Sequence, residues 1–393
     1  MGNNILSLKN CFGCGVCAFS CPKKIIDIRL NKEGFYVPYI EDENLCIGCG
    51  ICLDVCSFSH TQNTLEDKPL KAWAAWSADK RVQRKCSSGG AGFEIGKYLL
   101  ETGYKVVACS YDTEKNRAVH YIANNIEELI KSIGSKYIQS YTVDAFKSIN
   151  RKEKYLVVGT PCQIDSFRRY IQKFNCEENF ILMDFFCHCV PSMYAWRSYI
   201  RMQEKKVGKI TYASWRNKFE YGWHDSWLMC IDGESTSKPI NWHESYNVLI
   251  KGKKSFVQSR KSQGDLFYKL FLGDVCMGPQ CAKSCRFKYD QSSADIRIGD
   301  LWGKTYQSNE DGVSALVAFT EKGKELIEGV QMLIKEEHSF EIVAEGQMKK
   351  NARRKELTPL FMYLLKKQIP LDGLVFKMTF LSQRIITKLK SLI

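Results

Sequence analysis

Short apolar runs separated by polar turns fill the middle of the chain. Lys105-Val106-Val107-Ala108-Cys109, Tyr155-Leu156-Val157-Val158-Gly159 and Phe180-Ile181-Leu182-Met183-Asp184-Phe185-Phe186 are rich in β-branched and aromatic residues and of strand length, which predicts buried strands. Residues 294–298 alternate apolar and polar, the pattern of a half-buried strand. Residues 163–173 and 93–101 have helical character, and 313–320 followed by 321–335 predict a strand and then a helix. Such alternation over 72–345 predicts an α/β (α+β) domain. The stretch 61–71 is polar, carries Pro69 and reads as a linker.

After Gly346 the pattern changes. Residues 349–355 hold five basic side chains in seven, and 359–393 mix apolar residues with six Lys or Arg and one acid, Asp372. A basic amphipathic helical tail over 346–393 is predicted. Its apolar side either packs on the chain's own core or lies on an anionic lipid surface as a peripheral membrane contact. No uncharged apolar run reaches about 18 residues, so no spanning helix is predicted. Residues 1–11 lack the pattern of a secretory leader, and a cytoplasmic protein is expected.

Of 393 residues, 45% are hydrophobic and 25% charged, which argues against global disorder. The net charge is +14. A nucleic-acid partner would need that charge as a basic stripe on a binding motif. The chain has no such motif, so no nucleic acid is expected.

Cysteine changes the picture most. Eighteen occur, eight of them in the first 56 residues. In a long chain without a leader, metal ligation is a better reading than a disulfide scaffold. Cys11-x2-Cys14-x2-Cys17-x3-Cys21-Pro22 is followed by Cys46-x2-Cys49-x2-Cys52-x3-Cys56, the spacing of bacterial two-cluster ferredoxins. Three cysteines of each run face one 4Fe–4S cube and the fourth reaches the other. Cys11, Cys14, Cys17 and Cys56 are therefore assigned to one cluster, and Cys46, Cys49, Cys52 and Cys21 to the second, in a ferredoxin domain over 1–60. Zinc sites pair two cysteines with two distant ligands and do not repeat this register. Ser57 stands where a proline follows the first run. Three cubes at about −2 each would lower the net charge to roughly +8.

Further on, Cys86-Ser87-Ser88-Gly89-Gly90-Ala91-Gly92 precedes a helical stretch, where small residues and a helix start suit a phosphate, although Ser/Gly turns before helices are common. Gly159-Thr160-Pro161-Cys162-Gln163 and Cys187-His188-Cys189 both sit where a strand ends, the place of cofactor crevices in open α/β sheets. Cys276, Cys281 and Cys285 supply more thiols. Cys109, Cys176 and Cys230 read as small core residues.

Together these strings resemble the beta subunit of coenzyme F420-reducing hydrogenase and its F420H2 dehydrogenase relatives. The likeness runs from about 72 to 335. It rests on Ser87-Ser88-Gly89-Gly90, Gly134-Ser135-Lys136-Tyr137-Ile138-Gln139-Ser140, Gly159-Thr160-Pro161-Cys162-Gln163, Cys187-His188 with Val190-Pro191-Ser192, and Asp295-Ile296 with Gly299-Asp300-Leu301-Trp302-Gly303. Departures are Cys189 where the family usually has Gly, Cys86 where it has Ser, and three rather than two residues between Cys281 and Cys285.

The resemblance implies FAD bound by Ser87, Ser88, Gly89, Gly90, Ser135, Lys136, Tyr137, Gln139, Ser140, Thr160, Pro161 and Gln163. It also implies one further 4Fe–4S cluster on Cys162, Cys187, Cys281 and Cys285, with Cys189 and Cys276 as substitutes. Lys136 is the candidate positive group near the flavin or its substrate, against a solvated lysine. His188 is a candidate donor to a cluster sulfur or the flavin, against a structural histidine. The implied function is a flavin-dependent iron–sulfur oxidoreductase working between a hydride-carrying small molecule (deazaflavin F420 or another metabolite) and a redox protein or complex subunit. The alternative is a non-catalytic electron-transfer subunit of a larger complex, tied to cell-surface polysaccharide biosynthesis.

Overall fold

The computed structural model describes residues 4–65, 68–218, 221–234 and 257–392. In the N-terminal segment, β1 (Ile26–Leu30) and β2 (Tyr36–Ile40) form an antiparallel hairpin. The other strands are β3 (Lys71–Ser77), β4 (Lys105–Asp112), β5 (Arg117–Ala123), β6 (Ser140–Tyr141), β7 (Tyr155–Val158), β8 (Phe180–Phe185), β9 (Ile210–Ser214), β10 (Leu228–Gly233), β11 (Val257–Arg260), β12 (Ile296–Asp300), β13 (Ser314–Ala318) and β14 (Leu333–His338). Strands β9, β10 and β11 make a small antiparallel sheet, and nine strands make one large mixed sheet in the order β14-β3-β13-β12-β8-β7-β4-β5-β6.

The centre of the large sheet is parallel: β12 pairs with β8, β8 with β7 and β7 with β4. Parallel strands need covered faces, and the apolar runs read from the sequence supply them: Leu156, Val157 and Leu182 are fully buried. Because these strands share a direction, Cys162 just after β7, Cys187 just after β8 and the end of β12 at Asp300 arrive at one edge of the sheet.

Two predicted elements differ. The strand predicted to be half-buried at 294–298 is β12, and its polar position is inside. Arg297 is fully buried beside Asp184, its partner in the β8 register, with guanidinium nitrogens 2.7 Å from both carboxylate oxygens. The alternation marks a buried ion pair rather than a wet face. The helix predicted over 321–335 ends at Gly329, and Leu333–His338 becomes edge strand β14 on β3. The open backbone edge of Ala-rich β3 captures a segment whose polar residues give no strand signal.

The N-terminal segment is packed onto the sheet domain. Val16 and Val55 share one apolar cluster with Phe146, Phe167 and Leu182. Gln139 donates to the Phe12 carbonyl and accepts the Tyr36 N–H, each at 2.8 Å. Thr142 donates to the Cys14 carbonyl at 2.8 Å. The linker is anchored too: the Thr64 N–H donates to Asp165 at 2.8 Å, and Arg286 donates to Asn63 at 2.9 Å.

Candidate functional site

In each cysteine run a glycine turns the chain immediately before a short helix. Gly15 and Gly50 have φ of +78° and +74°, the left-handed region that favours glycine. A Cβ on Gly15 would also lie 2.2 Å from Thr142 Oγ1. The turn aims three thiols inward. Burial raises the Cys17 thiol well above its usual range, and the charges of Cys14, Cys11, Cys56 and, least, Cys52 of the second run add to it. Burial likewise raises Cys52, whose charged neighbours are Cys49, Cys21 and Cys46. Cys56 thus lies with the first run and Cys21 with the second. Amides point at the sulfurs: the Gly13 N–H donates to Cys11 at 3.2 Å, and the Val16 N–H to Cys14.

The donor chemistry fits two cubes. Each set offers four thiols with backbone N–H donors, and a small apolar-lined pocket lies between Cys21, Cys46, Cys49 and Cys52. Cys49 is exposed. Cys14 lies deeper, and the charges of Cys14, Cys187 and Cys281 all reach Cys162, whose thiol is raised first by burial.

Cys162 opens the helix Pro161–Lys173, which starts on a capping box between Thr160 and Gln163. The Gln163 carbonyl oxygen accepts the Thr160 N–H at 2.8 Å, and its amide donates to Ser140 at 3.2 Å. Cys187 is raised to about 11, by burial first, with Lys288 opposing and Cys285 adding to the rise. Cys281 is raised to about 12, by burial and then Cys187, with Cys285 also contributing. Cys187 and Cys281 thus lie within charge interaction of Cys162, and Cys285 within that of Cys187 and Cys281. Cys189 lies beside Cys281 and Cys187, whereas Cys276 sits on the Leu270 carbonyl at 3.5 Å. Lys288 Nζ donates to the carbonyls of Cys187 and His188 at 2.5 and 2.6 Å, a cation at this thiol set.

His188 is fully engaged: Nε2 lies 2.9 Å from Asp274 Oδ1 and Nδ1 lies 2.7 Å from Met348 Sδ. Its donor atoms come within 4.8 Å of those of Cys189 and Asp274. Lys136 is half-buried, with its ammonium held by backbone carbonyls. Its ammonium donates to the Ser132 and Ile133 carbonyls at 2.6 and 3.2 Å, and burial pushes it down to about 8.

The motif loops meet around Ser87, whose hydroxyl accepts the Ser135 N–H at 2.9 Å. Gly90, at φ +89°, leads into the helix Ala91–Glu101. Gly89 serves packing: a Cβ there would lie 2.3 Å from the Ala75 carbonyl. Ser88 donates to the Val313 carbonyl at 2.6 Å. Tyr137 stacks on Trp227 and Phe271. Gln139 spends both ends of its amide on the N-terminal segment.

Sequence reasoning missed two cations here. Arg216 donates to the Ser87 carbonyl at 3.2 Å and pairs with Asp300, its guanidinium against the stacked rings of Trp227 and Trp302, 4.8 and 4.9 Å from their centres. Lys218 Nζ donates to the carbonyls of Gln83, Ser88 and Asp311. Burial pushes Lys218 down to about 8. A small cleft lies beside Ser135, Lys136, Ser214 and Trp215. Buried cations, hydroxyls and a helix start suit an anionic cofactor.

Residues 72–147 match the N-terminal part, and residues 152–340 the C-terminal part, of the family described as coenzyme F420 hydrogenase/dehydrogenase, beta subunit. The chain belongs to the coenzyme F420 hydrogenase/dehydrogenase beta-subunit family. Residues 10–59 match the 4Fe-4S dicluster domain, so the chain joins a two-cluster iron–sulfur segment to an oxidoreductase family fold. It is 28% identical over 336 residues to the coenzyme F420-dependent sulfite reductase of Methanocaldococcus jannaschii, covering 84% of this chain and 47% of that protein. It is 33% identical over 127 residues to the coenzyme F420 hydrogenase subunit beta of Methanococcus voltae, covering 30% of this chain and 44% of that protein. The chain spans about half the length of the curated relatives it matches. A chain in a xenon derivative of the F420-reducing NiFe hydrogenase complex from Methanosarcina barkeri aligns at 17% identity and a TM-score of 0.46, covering 79% of this chain and 92% of that one.

Within this family fold, Arg216 and Lys218 follow β9 in an Arg-x-Lys spacing. That spacing was the one sequence signal for them, and it carries no meaning until the small sheet brings it to Ser87.

Proposed function

We propose that this chain is a flavin-dependent iron–sulfur oxidoreductase that exchanges electrons between a hydride carrier and a one-electron protein partner. The observation that carries the reading is a run of three cysteine sets from surface to interior: Cys49 is exposed, Cys17 of the Cys11 set is buried, and Cys14 lies within charge interaction of Cys162. When bound, FAD divides a hydride's electron pair into single electrons, and 4Fe–4S cubes carry one each.

The chain's own residues do the rest. Thiols of the three sets bind metal, and the N–H groups of Gly13 and Val16 donate to sulfur, which tunes such sites. Burial of Cys17 and Cys281 limits the access of water to the Cys11 and Cys162 sets. The start of the helix Ala91–Glu101 favours an anion at Ser87–Gly90, in a loop that Arg216 and Lys218 hold by its Ser87 and Ser88 carbonyls. The names of the two relatives make a deazaflavin of the F420 kind the first donor to test, with another hydride-carrying metabolite as the alternative. Cys49 marks the end at which a redox protein or complex subunit would dock.

The test is anaerobic purification with metal and flavin analysis, followed by visible spectra on adding reduced deazaflavin or nicotinamide donors. The expected result is about twelve irons and one noncovalent FAD per chain, bleached by a hydride donor and reoxidised by a ferredoxin-sized acceptor. Zinc in place of iron would overturn the whole reading. Iron and flavin present without reduction by any hydride donor would instead favour a non-catalytic electron-transfer subunit.

A further inference from the structure

The last helix, Leu374–Lys390, is attached by a narrow inner side. Phe376 is fully buried and Phe380 partly so, their rings 6.2 and 4.9 Å from Phe361 of the preceding helix, Thr358–Lys366. Gln383 accepts the Leu357 N–H at 2.9 Å, and Lys390 pairs with Glu356 at 2.7 Å. This side follows the packing reading of the tail.

The outer side is apolar. Leu374, Met378, Leu381, Ile385 and Leu389 are 73%, 54%, 50%, 50% and 57% exposed, and Leu392 just beyond is 83% exposed. At about 100° per residue they fall within one sector of the helix, a continuous stripe about 25 Å long. Lys377, Arg384 and Lys388 project together along one flank of that stripe, and residues 374–392 contain no acid. None of these three cations is ion-paired with a described residue. A surface helix ordinarily turns its apolar stripe inward. Here the reverse holds, and an exposed stripe of this size marks an interaction surface.

We propose that this helix lies on an anionic lipid surface, with Leu374, Met378, Leu381, Ile385 and Leu389 inserted among the acyl chains and Lys377, Arg384 and Lys388 reaching up to the headgroups. Charge selects the occupant. A second copy of the chain would set its own three cations beside these, with no acid on either helix to meet them. Anionic headgroups neutralise them, and long basic side chains extend their stems along the apolar boundary while keeping the charge in water. No helix among the described residues is long and apolar enough to cross a membrane, so the contact is one of lying on the surface. The inference does not rest on the redox reading.

The experiment is co-sedimentation of the full chain with phosphatidylcholine vesicles, with and without phosphatidylglycerol, read alongside sedimentation velocity without lipid. The expected result is binding to the mixed vesicles that weakens with salt and falls roughly tenfold or more in the double variant Leu381→Ser/Ile385→Ser. That variant changes exposed positions only, so its iron content and monomer sedimentation should match the parent. Lys377→Gln/Lys388→Gln should lose the preference for phosphatidylglycerol. Three results would overturn the proposal: no binding by the parent, equal binding by the serine variant, or a lipid-indifferent dimer that the serine variant dissolves.

Discussion

Ser57 donates its hydroxyl to the buried carboxylate of Asp165 at 2.5 Å, while its N–H donates to Ser166 at 3.1 Å. The residue after Cys56 is the position where the other cysteine run has Pro22, and a proline here could make neither bond. Asp165 also receives Ser293, Thr64 and Arg169. Burial works against its charge, but Arg169 and the hydroxyl donors hold its carboxyl below the usual range.

Ser57→Ala should therefore destabilise the chain by about 1–3 kcal/mol, because the carboxylate keeps its burial and loses a donor. Ser57→Pro should lose more, since the N–H goes as well. Anaerobic urea unfolding checks both, and equal midpoints for parent and proline variant would show that this seam contributes nothing.

The inner thiol set has a sharp signature in iron counts. Cys162→Ser and Cys187→Ser should each lower iron by about four per chain and leave the ferredoxin-type signal intact. Cys276→Ser should leave iron unchanged, because that thiol faces the Leu270 carbonyl. Colorimetric iron and sulfide assays decide it.

Asp300 balances Arg216, whose side chain is fully buried against two stacked tryptophans. Asp300→Ala should destabilise by about 3–5 kcal/mol, as expected when a buried cation loses its partner. It also removes the acceptor of the Trp223 indole N–H, 2.9 Å away. A denaturant titration followed by tryptophan fluorescence would register both changes.

His120 gives the pH dependence a defined window. Burial pushes its imidazole down to about 4 from 6.5, with the ring held by the Val158 carbonyl at 3.0 Å. Above pH 6.5 both folded and unfolded chains are neutral here, and the group contributes no slope. Between 6.5 and 4 the unfolded chain takes up a proton that the fold refuses, so stability falls as pH drops, by roughly 3 kcal/mol at most. His120→Gln should flatten that part of the profile. Urea midpoints measured from pH 7 to pH 4 compare the two, and parallel profiles would exclude the mechanism.

Local rules made part of this molecule legible. The 4Fe–4S dicluster segment could be read from its eight cysteines because each run is a closed local turn with a fixed spacing. Cys162 and Cys187 could be suspected because strand ends in a parallel sheet gather on one edge. Arg216 and Lys218 could not, since their place depends on a separate three-stranded sheet folding back over Ser87 and Ser88. Strand β14 escaped because its sequence, Leu333-Ile334-Lys335-Glu336-Glu337-His338, gains strand character only from the edge it meets. The terminal helix was read as amphipathic, yet its orientation was invisible: Phe376 and Phe380 outcompete five aliphatic residues for the inner side.

The clasp of Arg286 on the N-terminal segment bears on how the chain is made. Its guanidinium donates to the Ser57 and His60 carbonyls at 2.8 Å, closing a span of 229 residues between Arg286 and Ser57. During synthesis the segment holding the first eight thiols emerges early, while this clasp emerges late. Contacts of such separation form slowly, because a long loop must close before they reward it. For most of translation those thiols stand without their final cover, open to oxidation or to the wrong metal. The expected consequence is that slowing elongation ahead of Arg286 raises the fraction of mis-metallated protein.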